Sequence, residues 1–263
     1  MATAAPSFER DMSIGRVFSR ALAAVRTNPL VILGLAFAIG AVPGLLLTLL
    51  VSGIVGPVSA GLTTGSLTSL YGFLALSVVI SIVIGALVQG ALTRAAVSAS
   101  EGRKASFGES LSTGLRVALP LIGLGILVAI GVGVGMILLV VPGIILALMW
   151  SVAAPALVIE RDGVLAALGR SRDLTKGARW KIFGLFLVVV VVYWLLSVVV
   201  GIVGLTSYSA GDPAGLTTAN AIGSIVLGTL MNAATGTIQP SLYVELRQWK
   251  EGTSVENLEQ IFA

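Results

Sequence analysis

Long uncharged stretches separated by short basic segments dominate the chain. No Asp, Glu, Lys or Arg occurs in residues 27–93, 117–159, 182–211 and 213–244. A transmembrane helix needs about 20 mostly apolar residues to cross about 30 Å of hydrocarbon. The pattern therefore predicts six spans, placed roughly at 29–52, 69–94, 117–138, 141–160, 181–204 and 217–246. Runs such as Val188–Val192 do not alternate with polar residues, so they favour helices over the strands of a barrel.

Turn-forming residues divide the longer stretches. The segment from Gly53 to Ser69, rich in Gly, Ser and Thr, separates the first two spans, and the turn-rich Thr206–Pro213 separates the last two. Between spans three and four, the sequence leaves two positions open for the break, Gly131–Gly135 and Val140–Gly143. The prediction is an all-α integral membrane protein in which residues 1–263 form a single membrane domain.

The distribution of positive charge predicts the orientation. All 16 Lys and Arg residues fall before span one, between spans two and three, between spans four and five, or after span six. Lys and Arg accumulate in cytoplasmic loops. The chain is therefore expected in a bacterial inner membrane with both termini cytoplasmic, and no nucleic acid is needed to explain the net charge of +4.

Short helical patterns accompany the basic segments. In residues 1–28, apolar residues fall on one helical stripe, formed by Ile14, Val17, Phe18, Ala21, Leu22 and Val25. Capping-box spacing occurs at Ser106–Glu109 and again at Thr253–Glu256, within the C-terminal segment 247–263. These patterns predict amphipathic cytoplasmic helices at the membrane interface, with apolar sides in lipid and basic side chains among anionic headgroups. Alternatively, one of them docks a cytoplasmic protein.

The composition argues against an active site. The chain is 56% hydrophobic and 11% charged, with no cysteine and no histidine, which removes thiol chemistry and the commonest general acid–base residue. No charge falls deep within a predicted span, since Glu160 and Glu245 lie near span ends, beside Arg161 and Arg247. We expect no enzyme activity, no metal and no cofactor. Residues 1–28 contain charges rather than an apolar leader, so no signal peptide is expected there.

The main polar side chains at membrane depth are amides. They are Gln89, Asn220, Asn232 and Gln239. One interpretation is hydrogen bonding between helices, and the other is a substrate site.

An internal repeat is suggested when the chain is compared with itself at an offset of 150 residues. Gln89 then aligns with Gln239, Arg20 with Arg170, and Glu101 with Glu251. The repeating unit would be an amphipathic helix followed by two spans, in parallel copies about an axis along the membrane normal. The middle hairpin, about residues 106–160, is a candidate third copy.

Nearly the whole chain resembles a known family, most specifically over residues 141–180. The resemblance is carried by Val141-Pro-Gly-Ile-Ile145, Pro155, Glu160, Ala167–Ser171, Leu174–Gly177 and Trp180. These residues are similar to the YciC-like bacterial inner-membrane proteins, many of which are labelled "glycerophosphoryl diester phosphodiesterase membrane domain". The resemblance implies a six-span fold. The label derives from larger proteins fused to a catalytic domain with metal-binding carboxylates and His, so it implies no activity for a chain without His.

The functional hypotheses concern the basic segment between spans four and five. The leading one is a non-enzymatic membrane scaffold, anchor or regulatory subunit linked to envelope or lipid homeostasis. The alternative is a permease or transporter subunit whose segment 161–181 couples to a separate ATPase. The expected partners are anionic lipids and a cytoplasmic protein. The candidate contacts are Glu160, Arg170, Ser171, Arg172, Thr175, Lys176 and Gly177.

Overall fold

The structure is a computed structural model that describes residues 12–47, 50, 64–100, 103–209 and 213–252. These residues form helices and contain no strand. The helices are α1 (Ile14–Thr27), α2 (Pro29–Leu47), α3 (Thr64–Ser100), α4 (Phe107–Leu138), α5 (Val140–Met149), α6 (Ala153–Glu160), α7 (Val164–Thr175), α8 (Arg179–Ser209) and α9 (Pro213–Glu251). Within α2, Ala36–Ala41 is π-helical.

Six segments are long and apolar enough to cross a membrane, which confirms the predicted number. They are Pro29–Leu47, Tyr71–Ala99, Phe107–Leu138, Val140–Glu160, Arg179–Val203 and Ala221–Glu251. The protein is therefore a multi-pass, all-helical membrane protein.

The helix boundaries differ from the sequence prediction in several places. Segment Ser106–Glu109 begins α4 rather than a separate interface helix, because α4 continues through Pro120 without a break. Helix α3 begins at Thr64 and α8 runs to Ser209, so both extend into segments that the turn-rich composition had predicted as loops. The capping-box pattern at 253–256 lies outside the described residues.

The break between spans three and four lies at the second of the two predicted positions. Leu139 has an extended conformation, with φ −161° and ψ 140°, and separates α4 from α5. A further break, which the sequence prediction did not include, separates α5 from α6 inside the fourth span.

Burial is concentrated at one end of the helices. In α8, Ile182 and Leu185 are fully buried, whereas Val190 and Val199 further along are more than half exposed. The buried part comprises α1, α7, the C-terminal ends of α3, α6 and α9, and the N-terminal ends of α4 and α8. We call this part the basic end, because it contains every Lys and Arg among the described residues.

Helix α1 packs inside the protein. The interface interpretation placed its apolar stripe in lipid, but Val17 is fully buried and Ala21 is 5% exposed, in a cluster with residues of α8 and α9. Only Leu22, at 50% exposure, leaves a large apolar side chain of this stripe at the surface. Protein partners on α8 and α9 thus replace lipid for most of the stripe.

Close helix contacts away from the basic end depend on glycine. A Cβ added at Gly135 of α4 would lie 2.9 Å from the Cα of Gly143 in α5, and one added at Gly131 would lie 2.5 Å from the Trp150 ring. Gly131 and Gly135 therefore serve helix contact, as small residues commonly do in membranes. Gly40 and Gly44 have the same spacing, but only Gly40 lies against another helix, at Asn232, and a Cβ at Gly44 would meet open space.

Replacing Gly143 with Val should separate α4 from α5. Its Cβ would lie 2.7 Å from the backbone nitrogen of Met136, which cannot move like a side-chain tip. We expect a loss of about 1–3 kcal/mol in stability, the usual cost of overpacking. The measurement is the temperature at which the detergent-solubilised protein loses its monodisperse peak. Gly201→Val is the matched control, since Gly201 has open space around it; equal losses for the two variants would contradict the close contact.

Candidate functional site

The fourth span is broken near its middle. Helix α5 ends at Met149 and α6 begins at Ala153, with Pro155 in its first turn. Proline has no N–H, so residue 155 cannot donate to the Ser151 carbonyl as a continuous helix would require. Ala153 N donates to Trp150 O at 3.1 Å across the turn. Without further partners, the other backbone groups freed by the break would be costly in a membrane.

Helix α7 supplies partners for the broken span. The Ser171 hydroxyl donates to Met149 O at 2.8 Å and accepts a hydrogen bond from Val152 N at 3.3 Å. Thr175 Oγ1 donates to Ser171 O at 2.9 Å and lies 3.3 Å from Met149 O. Ser171 and Thr175 are both fully buried. These two residues were candidate partner contacts, and the structure places them against the break in the span.

Glu160 and Arg170 belong to an ion-pair network that joins α6, α7 and α9. Glu160 Oε1 accepts hydrogen bonds from Arg170 Nε at 2.8 Å and from the Tyr243 hydroxyl at 2.5 Å. Arg170 also pairs with Glu251, which in turn pairs with Arg247 at 2.9 Å. Burial alone would lower the pKa of Arg170, but its hydrogen bonds to Glu160 and Glu251 outweigh that effect and raise the pKa. Arg170 therefore stays charged and fixes the position of α7.

A second network holds α1 against α9. Arg16 Nη2 lies 2.6 Å from Glu245 Oε1 and Arg20 Nη1 lies 3.2 Å from Glu245 Oε2. The Glu245 side chain is 2% exposed, and it also accepts a hydrogen bond from Ser13 N at 3.2 Å. Glu245 lies beside Arg247 in the sequence, but Arg247 pairs with Glu251 one helical turn later, and Glu245 pairs with α1.

The remaining candidate contacts of α7 lie at the surface. Arg172, Lys176 and Gly177 are exposed. Gly177 has φ +89°, a conformation that favours glycine, at the turn into α8. Two large apolar side chains in this part of the chain, which sequence reasoning missed, are also exposed: Leu165 of α7 at 75% and Trp180, at the start of α8, at 85%. Helical spacing places residues 165, 169 and 172 on one stripe of α7, and Lys176 directly follows the last residue of the helix.

Two of the four polar side chains predicted at membrane depth meet. Gln89 Nε2 of α3 donates to Gln239 Oε1 of α9 at 2.8 Å. Asn232 donates instead to Gly228 O within its own helix, at 2.8 Å, and lies against Gly40. The side chain of Asn220 lies outside the part of the chain that is described. Among the described side chains of this group, Gln89 and Gln239 thus form a hydrogen bond between helices, whereas Asn232 contacts α2 by packing alone.

A large cavity lies beside the glutamine pair. Its volume is about 910 Å³, and it is bordered by α3, α4, α5, α6, α8 and α9. Gln89, Gln239, Ser151 and Trp150 contribute polar groups, whereas the rest of the lining is apolar and carries no charge. Trp150 and Ser151 belong to the break between α5 and α6, so irregular backbone, the glutamine pair and the cavity coincide.

Carboxylates lie outside this cavity. Glu160 and Glu245 are engaged in the two ion-pair networks, and neither lines the cavity. Within the described residues, no group of three or more Asp and Glu side chains is arranged to hold a metal ion.

The fold and the site define an integral membrane protein with a basic end and an intramembrane cavity. The chain belongs to the family described as Domain of unknown function (DUF7847), whose profile matches residues 12–246. No curated protein matches the chain. No solved structure matches it either.

Ser171→Ala should destabilise the protein, because it removes the hydroxyl that serves both Met149 O and Val152 N. Leaving buried polar groups unpaired costs about 1–3 kcal/mol. The measurement is again the thermal loss of the monodisperse peak in detergent. Ser112→Ala is the control, since Ser112 is exposed and bonds only to Glu109 O in its own helix. If the two alanine variants lose the monodisperse peak at the same temperature, Ser171 does not stabilise the broken span.

Proposed function

We propose that the protein is a non-enzymatic scaffold or anchor of the bacterial cytoplasmic membrane whose basic end docks a protein partner. The observation that carries the proposal is the separation of roles between the buried residues of α7 and the exposed residues of α7 and of its connection to α8. Arg170, Ser171 and Thr175 fix α7 to the bundle, while Leu165 and Arg172 of α7, Lys176 after its end and Trp180 at the start of α8 remain exposed. A helix held this firmly presents a preformed surface, which lowers the ordering cost of binding.

The exposed residues of α7 and of its connection to α8 offer two kinds of contact. Leu165 and Trp180 offer apolar and aromatic area, and Arg172 and Lys176 offer positive charge. Aromatic and arginine side chains are enriched at interfaces between proteins. The same combination suits the membrane interface, where Trp and basic residues meet anionic headgroups. We call the surface formed by Leu165, Arg172, Lys176 and Trp180 the α7 face.

The proposed orientation has the basic end in the cytoplasm. Its support is the positive-inside rule, because Lys and Arg cluster at this end. Leu139 lies in the turn between α4 and α5, at the ends of these helices that are far from the basic end. It is 68% exposed. Both described chain ends, at residues 12 and 252, belong to the basic end.

We also propose that the fold derives from parallel repeats that begin with α1 and α7. Helix α7 begins 150 residues after α1, and α8 begins 150 residues after α2. The same separation of 150 residues relates Gln89 to Gln239, whose side chains touch. Equivalent residues of two parallel copies meet where they approach the symmetry axis. The glutamine pair would therefore mark an axis along the membrane normal.

A transporter subunit is the second candidate, because α7 contacts the break that lines the cavity. Ser171 bonds Met149 and Val152, and the neighbouring Trp150 and Ser151 border the cavity. Movement of α7 by a cytoplasmic ATPase would reach the cavity through these bonds. In this proposal, residues 161–181 form the coupling segment.

Single cysteines test the orientation without background, since the chain has none of its own. We expect a membrane-impermeant thiol reagent to label Leu139→Cys in intact cells. The same reagent should label Lys176→Cys only after the cytoplasmic membrane is permeabilised. Labelling of Lys176→Cys in intact cells would place the basic end outside and contradict the proposed orientation.

Photocrosslinking in cells tests the docking surface. We expect a photoreactive amino acid at Leu165 to give a protein adduct of defined mass. The adduct should disappear when Arg172 and Lys176 are both replaced by Ala. Replacing Arg26 and Lys250 by Ala removes the same charge elsewhere at the basic end and should leave the adduct.

The adduct also separates the two candidate functions. An ATPase subunit in the adduct would favour the transporter proposal, and a partner without nucleotide-binding chemistry would favour the scaffold. Adducts with lipid alone, from every variant, would contradict docking of a protein at the α7 face.

A further inference from the structure

The cavity beside the glutamine pair has the chemistry of a lipid site. Its volume of about 910 Å³ falls near the upper end of the range of about 300–1,000 Å³ typical of ligand pockets. No charged side chain lines it, so the lining offers no charged group to an ion. The cavity is not enclosed, and Met136 and Val190, which line it, are partly exposed and lie within candidate membrane spans. In a membrane, the opening would therefore lie at the depth of the hydrocarbon.

The glutamine pair lies near the basic-end side of the cavity. Gln89 precedes Arg94 by five residues and Gln239 precedes Glu245 by six, which corresponds to about 7–9 Å along a helix. The polar layer of a bilayer is about 5–8 Å thick on each side of the hydrocarbon. If Arg94 and Glu245 lie at headgroup level, the glutamine pair lies where headgroup and hydrocarbon meet. The ester groups of a phospholipid lie at that boundary.

The broken span provides an independent indication of a binding site. Irregular backbone at membrane depth is found where it is buried in protein or lines a cavity, and broken helices in membrane proteins commonly border substrate sites. Here the cavity is bordered by Trp150 and Ser151 from the break and by Ala153 and Ala154 from the start of α6. Ser171 and Thr175, which belong to the basic end, stabilise this break through their hydrogen bonds.

We propose that this cavity binds one membrane phospholipid, with an acyl chain between α4, α5 and α8 and an ester carbonyl at the Gln89–Gln239 pair. A glutamine amide has two N–H donors and a carbonyl acceptor. The bond between the two residues uses one donor of Gln89, so other amide hydrogens can serve a carbonyl of the ligand. The hydrocarbon chain fits the apolar lining. This site is separate from the α7 face, because the two surfaces share no residue.

Photoreactive lipid tests the proposal in reconstituted full-length protein. The probe is a phosphatidylglycerol with a diazirine on one acyl chain, in vesicles of phosphatidylethanolamine and phosphatidylglycerol. We expect labelled peptides to concentrate at residues 128–136 of α4 and 144–148 of α5, whose side chains line the cavity. Labels spread evenly over the exposed face of α8, with none in these peptides, would overturn the site.

Two variants fill the cavity from different helices. Gly133 and Gly85 both line it, and a Cβ at either position meets no atom within 4 Å. We expect Gly133→Phe and Gly85→Phe to lower labelling of these peptides about tenfold, which corresponds to about 1.4 kcal/mol in binding free energy. Gly201→Phe adds the same side chain at an open, exposed position outside the cavity and should leave labelling unchanged. Undiminished labelling in both cavity variants, each monodisperse in detergent, would overturn the proposal.

The glutamine pair has its own test. Native mass spectrometry of the parent protein should show one retained phospholipid, and the variant with Gln89→Leu and Gln239→Leu should retain much less. Leucine keeps the apolar volume but removes the hydrogen bonds, so only polar recognition is lost. Equal retention by the parent and the variant would contradict an ester contact. Retention of a fatty acid or an isoprenoid alcohol in place of phospholipid would contradict the proposed ligand.

Discussion

The hydrogen bonds of Ser171 to Met149 O and Val152 N hold α7 against the broken fourth span. A backbone break inside a membrane span is tolerated only when the freed N–H and C=O groups find partners, because hydrocarbon offers none. Pro155 removes one of the bonds that a straight helix would make, and α7 supplies replacements. Once α7 lies against the break, Arg170 is placed between Glu160 and Glu251, so α6, α7 and α9 meet. The cavity borders the other side of the same break.

The ion pairs at the basic end specify position more than they add stability. Removing a carboxylate such as Glu245 from water is costly, and its attraction to Arg16 and Arg20 repays that cost only with good geometry. Arg16 remains 45% exposed and Arg20 29% exposed, so water screens the pairs further. Their main effect is to select one position for α1, since the buried carboxylate of Glu245 pairs with both arginines. Hydrophobic burial of Val17 and Ala21 then stabilises α1 in that position.

Hydropathy and charge predicted the number of spans, because both follow from the local cost of placing polar groups in hydrocarbon. The break at Leu139 was one of two predicted positions for the same reason, since a single helix cannot extend through residues 117–159. The break at Trp150–Val152 was not predicted, although Pro155 was its signal, because proline is often tolerated in membrane helices. The partners of Glu245 are 229 and 225 residues away, and no local pattern encodes such a distance. Gln89 and Gln239 were identified as polar residues at depth, but their contact depends on how α3 and α9 pack.

The cavity can stay open because the protein lies in a bilayer rather than in water. In water, a cleft lined by Val128, Leu187 and Val190 would tend to close, because burying apolar area is favourable. In a bilayer that driving force is absent, since lipid chains are as apolar as the side chains, and helices associate through close packing of small residues. Gly135 and Gly143 allow such packing between α4 and α5, whereas α8 presents the larger side chains of Phe183, Phe186 and Leu187 to the cavity. A bilayer chain can occupy this space without loss of dispersion contacts, so the cavity is compatible with a stable membrane protein.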